Sequence, residues 1–390
     1  MTARSVGLRV PFHRADLGDA EVQAVSDVIR SGWLTMGSKT FEFERQFAEY
    51  VGASYAVAVS SCTAALHLAL EAIGLTSGDE VLVPTTTFTA TAEVVTYFGA
   101  IPIFVDVDPS TLNIDPLDAE RKITRRTRAI IPVHFAGMPC DLNEIADLAA
   151  RRALHVIEDA AHALPSEYRG KRIGAVSELT AFSFYATKTL TTGEGGMITT
   201  QRLDYAQRLQ MMRLHGISRD AWKRYSAQGS WFYEVLENGF KYNLGDIQAA
   251  LGLVQLSKCN QMTVLRENIA RRYTSAFEDI DALQVPLTVP DRKTSWHLYI
   301  LRLHLDRLRI NRDHFIQELE TRGVDASVHF IPLHLQPVFK RKYGLAPGML
   351  PIAEREYCRS MSLPIYSSMD EEEVDHVIWA VSDVVSSWSQ

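Results

Sequence analysis

Strand-like and helix-like segments alternate along the chain from about residue 50 to residue 200, and this alternation constrains the fold most strongly. Short apolar runs typical of buried strands cover residues 80–83, 101–107 and 129–133, and a helical pattern ends at Gly74. Successive parallel strands need crossover connections, which are usually helices. The alternation therefore predicts an α/β fold with a mainly parallel sheet between helices.

The flanking segments complete the predicted organisation. Residues 13–50 carry helical patterns that we expect to pack outside the sheet, and residues 244–276 carry one long helical pattern. Strand and helix signals are mixed beyond it, as in a small α+β unit. Because 390 residues exceed one small core, we expect a large domain of residues 1–255 and a smaller C-terminal domain of residues 256–390.

One of the apolar strands runs into a lysine. Lys188 follows the run that begins at Ala181, and a glycine-rich turn continues to Gly196. Burial disfavours the charged ammonium and so favours the neutral amine, which can attack a carbonyl. The pattern is that of a lysine holding pyridoxal phosphate as a Schiff base. The alternative is a surface lysine whose ammonium reaches solvent.

A second apolar run, residues 154–158, ends in Asp159. Open α/β sheets place their ligands at the carboxyl ends of strands, and pyridoxal phosphate needs a carboxylate beside its pyridine nitrogen. The alternative is an aspartate that caps the next helix. Asp159 and Lys188 are spaced as on consecutive elements of one sheet, so both could face one cofactor ring.

The third pattern indicates a phosphate site. Residues 55–74 read as a strand, a small polar turn and a helix, whose first turn offers free N–H groups and a positive dipole end to an anion. Thr63 and Ser183 could add hydroxyl groups, although Ser61 or Thr63 could equally cap the helix. Phe88 could stack on the cofactor ring or belong to the core.

Composition limits the classes of function. The chain is 46% hydrophobic and 22% charged, as in ordinary globular proteins, and its formal net charge of −7 offers no general basic field for nucleic acid. We find no apolar run of membrane-span length and no signal-peptide core at the amino terminus. The four cysteines lack metal-ligand or disulfide spacing, so we expect no metal site and a reducing, cytoplasmic setting.

Several motifs, taken in order, carry a family resemblance over nearly the whole chain. They are the turn around Thr63 and residues 84–88, 131–137, 157–162, 182–188, 214–216 and 241–250. Together they resemble the DegT/DnrJ/EryC1/StrS family of pyridoxal-phosphate sugar aminotransferases, within the fold-type I aspartate aminotransferase superfamily. The resemblance implies the fold-type I architecture, with a large domain built on a mainly parallel sheet and a smaller C-terminal α+β domain.

The resemblance also implies a role for each matched position. Lys188 is expected to form the Schiff base, Asp159 to pair with the pyridinium nitrogen and Phe88 to stack on the ring. Further cofactor contacts are expected from Cys62, Thr63, Ala64, His162 and Ser183, and many relatives carry glutamine at the position of His162. Asn243 matches a residue that reaches the phosphate of the neighbouring subunit, which implies a homodimer with composite active sites.

Substrate contacts are less constrained. Residues 217–240 lack clear periodicity and are rich in aromatic side chains. Arg219 or Lys241 could reach the diphosphate of a nucleotide-sugar, or the segment could bury dimer surface. The resemblance places His329 beside the sugar pocket. We expect His134 and His215 to be hydrogen-bonded structural residues.

The expected function is therefore a pyridoxal-phosphate aminotransferase with a ping-pong aldimine/ketimine mechanism. It would move an amino group from an amino acid, L-glutamate by resemblance, to C-4 of a UDP- or dTDP-4-keto-6-deoxy sugar. The alternatives are a C-3 keto-sugar or aminocyclitol aminotransferase and, from another class, a non-catalytic cofactor-binding regulator or partner subunit. Lys188 disfavours the dehydratases that some relatives become when histidine replaces this lysine.

Overall fold

The computed structural model describes residues 7–217 and 233–390. The helices of this part are α1 (Asp19–Ser31), α2 (Ser38–Val51), α3 (Cys62–Ala72), α4 (Ala90–Thr96), α5 (Pro116–Lys122), α6 (Leu142–Arg152), α7 (Leu203–Met212), α8 (Asp246–Phe277), α9 (Arg312–Thr321), α10 (Pro337–Tyr343), α11 (Pro351–Arg359) and α12 (Glu371–Trp388). The strands are β1 (Tyr55–Val59), β2 (Glu80–Pro84), β3 (Ile101–Val105), β4 (Thr127–Ile130), β5 (His155–Asp159), β6 (Glu167–Tyr168), β7 (Lys171–Arg172), β8 (Leu179–Ser183), β9 (Gly196–Thr200), β10 (Leu283–Gln284), β11 (Arg292–Lys293), β12 (Tyr299–Leu303) and β13 (Ser360–Leu363).

Seven strands form the large sheet, in the order β1-β9-β8-β5-β4-β2-β3. All neighbouring pairs from β8 to β3 are parallel, whereas β9 is antiparallel to both β8 and β1. Alternate residues of a strand point to opposite faces, and in β1 they enter two separate cores: Val57 and Val59 in one, Ala56 and Ala58 in the other. The predicted α/β fold with a mainly parallel sheet between helices is confirmed.

The ends of two predicted strands differ from the structure. β4 stops at Ile130 rather than at residue 133, and β3 stops at Val105 rather than at residue 107. Pro132 lies in the predicted extension of β4 and has no N–H to donate to a ladder. Its carbonyl still accepts from the N–H of Asp159 at 2.9 Å, so the chain stays beside β5 after the strand ends.

A smaller antiparallel sheet, β10-β12-β13, lies in the C-terminal part, as the predicted α+β unit requires. Residues of α8, α9 and α12 pack in the core beside this sheet, which we call the small core, and Val10 near the amino terminus joins it. The predicted domain boundary between residues 255 and 256 falls inside α8, and the division stays a prediction.

The topology brings several strand ends together. β1, β2, β5 and β8 all point the same way, so the residues that follow their carboxyl ends meet at one edge of the large sheet. Asp159 ends β5, and the turn with Lys188 follows β8. Open α/β sheets bind ligands at this edge.

In the described part of the chain, no helix combines the length and the apolar character needed to cross a bilayer.

Candidate active site

A cavity of about 520 Å³ opens at this edge of the large sheet. The predicted site residues in its lining are Cys62, Thr63, Phe88, Asp159, His162, Ser183, Lys188 and His329. Ala64, Lys241 and Asn243 are not in the lining, and Arg219 lies outside the described residues. The fold thus gathers most of the predicted set, from widely separated segments, around one cavity.

Lys188 ends a short turn after β8. Its N–H donates to the carbonyl of Tyr185 at 2.9 Å, and its side chain lines the cavity. Burial lowers the pKa of the Lys188 amine to about 8, while the nearby Cys62 and Asp159 raise it, because negative charge favours an ammonium. Near pH 8 a substantial fraction of the amine is therefore neutral and able to attack a carbonyl.

We expect the apoenzyme to show this lowered pKa in its reaction with a small uncharged aldehyde. The rate of trapping at Lys188 should rise with pH and level off above about 8, because the neutral amine is the reacting form. Cyanoborohydride trapping followed by peptide mass analysis measures the rate at each lysine, and the exposed Lys293 provides the internal reference. A Lys188 rate that still climbs beyond pH 10, as at an ordinary lysine, would contradict the expectation.

Asp159 is buried, with 5% of its surface exposed. Its carboxylate accepts hydrogen bonds from the Thr91 hydroxyl at 2.8 Å and from the N–H of Ala161 at 3.1 Å. Among the described residues it has no salt-bridge partner, and burial raises its pKa against the opposing effect of these donors and of Lys188. A turn rather than an α-helix follows, so the helix-capping alternative is wrong. A buried carboxylate without a cation favours a positively charged ligand group.

The amino end of α3 faces the same cavity. Ser61 caps the helix, because its hydroxyl oxygen accepts from the N–H of Ala64 at 3.1 Å. The N–H groups of Cys62 and Thr63 lie in the first turn of α3, before the first N–H that bonds within the helix. They have no acceptor among the described residues. A side chain at Gly196 would bring a Cβ to 2.5 Å from the Ser61 carbonyl carbon, so glycine is needed there for β9 to pack against this turn. The free amides and the helix dipole suit a phosphate.

Four imidazoles surround the cavity. The rings of His162 and His297 lie 4.4 Å apart, and each buried Nδ1 lacks a hydrogen-bond partner. His329 Nδ1 bonds to the Ser362 hydroxyl at 2.8 Å, and His13 also lines the cavity. Burial is the main cause of the lowered pKa at all four, to about 4 for His13 and His329 and well below the usual value for His162 and His297. The four rings are therefore neutral near pH 7.

Sequence reasoning missed Thr91, His13 and His297 as residues of this site. Thr91 lies three residues after Phe88, in a segment whose only predicted site residue is Phe88. His297 lies two residues before β12, and it belongs to none of the motifs that carry the family resemblance. These three residues lie in segments that are far apart in sequence, and the fold brings them to the cavity that Lys188 lines.

Of the remaining predicted residues, Phe88 borders the cavity, whereas His134 and His215 do not. Phe88 borders the cavity with 61% of its surface exposed, and its ring lies 6.1 Å from that of Phe330. His134 is fully buried, bonds Glu158 at 2.7 Å and accepts from the Cys140 N–H at 3.1 Å, as expected of a structural histidine. His215 lies outside the cavity lining. The stacking role of Phe88 stays a prediction.

Lys241 and Asn243 lie on an extended segment beside the end of β1. Asn243 forms an antiparallel bridge with Val59, and the Lys241 amine donates to the Asn243 side-chain oxygen. Neither lines the cavity of its own chain, where Lys188 is the only Lys or Arg among the described lining residues.

These features fit pyridoxal phosphate. Asp159 supplies a buried carboxylate without a cationic partner among the described residues, the first amides of α3 are free, and Lys188 supplies an amine of lowered pKa in the same cavity. Among the described residues there is no group of three or more metal-ligating side chains that could hold an ion.

Comparison with known proteins agrees with this chemistry. The model of the DegT/DnrJ/EryC1/StrS aminotransferase family matches residues 15–382. The chain is 46% identical over 377 residues to the spore coat polysaccharide biosynthesis protein SpsC of Bacillus subtilis, covering 96% of this chain and 97% of SpsC.

Two solved structures show the same fold. Spr1654 from Streptococcus pneumoniae, solved in a PLP-form, is 32% identical with a TM-score of 0.91, covering 97% of this chain and 99% of that chain. The sugar aminotransferase CalS13 from Micromonospora echinospora is 29% identical with a TM-score of 0.86, covering 96% and 99%. Spr1654 was also solved in a PMP-form, the aminated state of the same cofactor. The chain therefore belongs to the DegT/DnrJ/EryC1/StrS aminotransferase family and is a transaminase that depends on pyridoxal phosphate.

Proposed function

We propose that this transaminase moves an amino group from L-glutamate to the C-4 keto carbon of a UDP- or dTDP-4-keto-6-deoxy sugar. The observation that carries the sugar assignment is a group of neutral imidazoles and aromatic rings in the cavity wall. His297, His329, Phe12 and Phe330 line it. Neutral imidazoles can both donate to and accept from hydroxyl groups, and aromatic rings can pack against the apolar face of a sugar ring.

The names of two relatives point to the same substrate class. SpsC is described as a spore coat polysaccharide biosynthesis protein and CalS13 as a sugar aminotransferase. The choice of C-4 rests on residues 133–137 and 241–246, which look most like those of 4-keto-hexose enzymes.

The backbone amides and side chains of the site would have separate roles in the reaction. The amides of Cys62 and Thr63, with the hydroxyls of Thr63 and Ser183, would bind the phosphate, and Asp159 would hold a proton on the pyridine nitrogen. Pyridoxal phosphate, when bound, supplies an electron-accepting ring. Lys188 Nζ would accept the proton from the α-carbon of the amino-acid donor and, as a general acid, return it to the carbon two bonds away, which completes a 1,3-proton shift.

A panel of acceptors tests the proposed substrate. After reaction with L-glutamate, the aminated enzyme should convert a 4-keto nucleotide-sugar in a single turnover, and NMR of the product should show nitrogen at C-4. A parallel reaction with 3-keto nucleotide-sugars provides the matched comparison. Turnover of only the 3-keto compounds, or of a cyclitol ketone alone, would reject the C-4 assignment in favour of the corresponding alternative.

We also propose a homodimer in which Asn243 and Lys241 complete the partner's active site. Both residues lie outside their own cavity, which offers a nucleotide diphosphate no described cation except Lys188. Mixing Lys188→Ala and Asn243→Ala subunits should restore activity, because one site of each mixed dimer would then have both residues intact. Random pairing predicts about a quarter of wild-type activity, half of the dimers being mixed with one intact site each. No recovery, with subunit exchange verified by mass spectrometry, would place Asn243 in its own site.

The described cysteines, Cys62, Cys140, Cys259 and Cys358, are free thiols. This state suits a reducing compartment, and we propose the cytoplasm as the setting of the reaction.

A further inference from the structure

The segment before α1, residues 9–16, ties the amino terminus to the C-terminal part of the chain, and we call it the N-terminal strap. Val10 forms a parallel bridge with Val324, supported by backbone hydrogen bonds of 2.8 and 3.0 Å to the residues on either side of it. Arg14 pairs with the buried Glu373 at 2.8 Å. The strap is therefore anchored to the small core on both sides of residues 12 and 13.

Between these anchors the strap forms part of the active-site wall. Phe12 and His13 both line the cavity, and the Phe12 ring stacks on that of His329 with centroids 5.6 Å apart. His13 Nε2 lies 3.1 Å from the carbonyl oxygen of Ala186, two residues before Lys188. One short segment thus contacts both His329 in the cavity wall and the turn that ends at Lys188.

The hydrogen bond determines the state of the His13 ring. A carbonyl oxygen can only accept, so Nε2 carries the proton and donates it. Burial, followed by the positive charge of Arg266, lowers the pKa of His13 to about 4, and Lys188 adds to this effect. The ring therefore stays neutral under ordinary conditions, and its edge packs against Tyr366 with centroids 6.1 Å apart.

The turn that receives this bond has little other support. Besides this bond, the Lys188 N–H donates to Tyr185 O at 2.9 Å and the Tyr185 N–H donates to the Ser183 hydroxyl at 3.4 Å, and both Tyr185 and Ala186 are exposed. Among the described residues, His13 provides the only hydrogen bond to the Ala186 carbonyl. Without this bond the turn would be held mainly at its ends, and Lys188 would sample more orientations.

We propose that His13 is a positioning residue for Lys188: its donated hydrogen bond holds the 185–188 turn so that the amine faces the cofactor site. Because Phe12 of the same strap stacks on His329, the strap also holds the position of His329 relative to Lys188. The net strength of one hydrogen bond corresponds to an effect of about two- to tenfold on the population of the reactive orientation.

Two closely matched variants test the proposal. In His13→Gln the side-chain amide nitrogen can occupy the place of Nε2, whereas the shorter side chain of His13→Asn cannot reach the Ala186 carbonyl. The full-length apoenzymes are mixed with pyridoxal phosphate, and borohydride quenching at timed intervals measures the rate of attachment to Lys188. We expect the asparagine variant to react about two- to tenfold more slowly than wild type, and the glutamine variant to recover most of that rate.

Thermal unfolding of the same apoenzymes separates positioning from general destabilisation. The glutamine and asparagine variants should unfold at similar temperatures although their attachment rates differ. Arg9→Gln, which removes only the exposed ion pair with Asp325 on the same strap, should leave the attachment rate unchanged. Equal attachment rates in the two His13 variants would overturn the proposal.

Discussion

Lys188→Ala is expected to lower the rate of amino transfer by at least about 10²- to 10⁴-fold, the range that general acid–base catalysis typically contributes. The variant loses both the amine that attaches the cofactor and the group that moves the proton. It should still bind pyridoxal phosphate, because Asp159 and the free amides of α3 are unaffected. A single-turnover reaction with L-glutamate, followed by the absorbance of the cofactor, measures the loss.

Lys188→Arg is the matched control for charge. A guanidinium keeps the positive charge but does not deprotonate in a protein, so this variant should be as inactive as the alanine variant. Borohydride reduction of the wild-type enzyme should attach the cofactor to Lys188 in a peptide map. Transamination by Lys188→Ala without added amine, or label on another lysine, would contradict the assigned role.

Asp159→Asn should reduce amino transfer by about 10²- to 10³-fold, within the range expected when one member of a buried charge pair is neutralised. Asparagine keeps the size of the side chain, but its single oxygen can accept from Thr91 or from Ala161 and not from both, and it lacks the charge that holds a proton on the pyridine nitrogen. The rate of the L-glutamate half-reaction, with cofactor content measured separately, checks this expectation.

Thr91→Val provides the comparison for Asp159. It removes one hydroxyl donor and leaves the carboxylate charge in place, so a loss of about tenfold or less is expected. If Asp159→Asn lowered the rate of amino transfer no more than Thr91→Val does, the charge of Asp159 would not be important for the reaction.

The pairing of Lys188 with Asp159 could be predicted because both follow apolar runs typical of buried strands. Parallel strands of an α/β sheet present their carboxyl ends at one edge, so the sequence order already placed both residues near a common ligand. In the structure β5 and β8 are adjacent, and Asp159 is opposite Ala181 in the register. The adjacency makes the juxtaposition a direct result of the fold.

The amino end of α3 shows where local sequence left a choice open. Both Ser61 and Thr63 are good capping residues, and only the backbone geometry decides between them. In the structure Ser61 is the cap: its hydroxyl accepts from the N–H of Ala64, and Thr63 is left among the residues that line the cavity. A phosphate contact from the Ala64 amide would have to share or replace that bond.

Strand periodicity and the residues at strand ends are local signals, and they were sufficient to predict the fold class and to select Lys188 and Asp159 as a pair that could face one ligand. The other residues around Lys188 could be found only from the tertiary packing. His13, Thr91 and His297 reach the site from segments that are distant in sequence, and packing rather than spacing brings them together. Pairwise contacts of this kind leave no periodic pattern, since each depends on the final arrangement of the sheet, the small core and the strap.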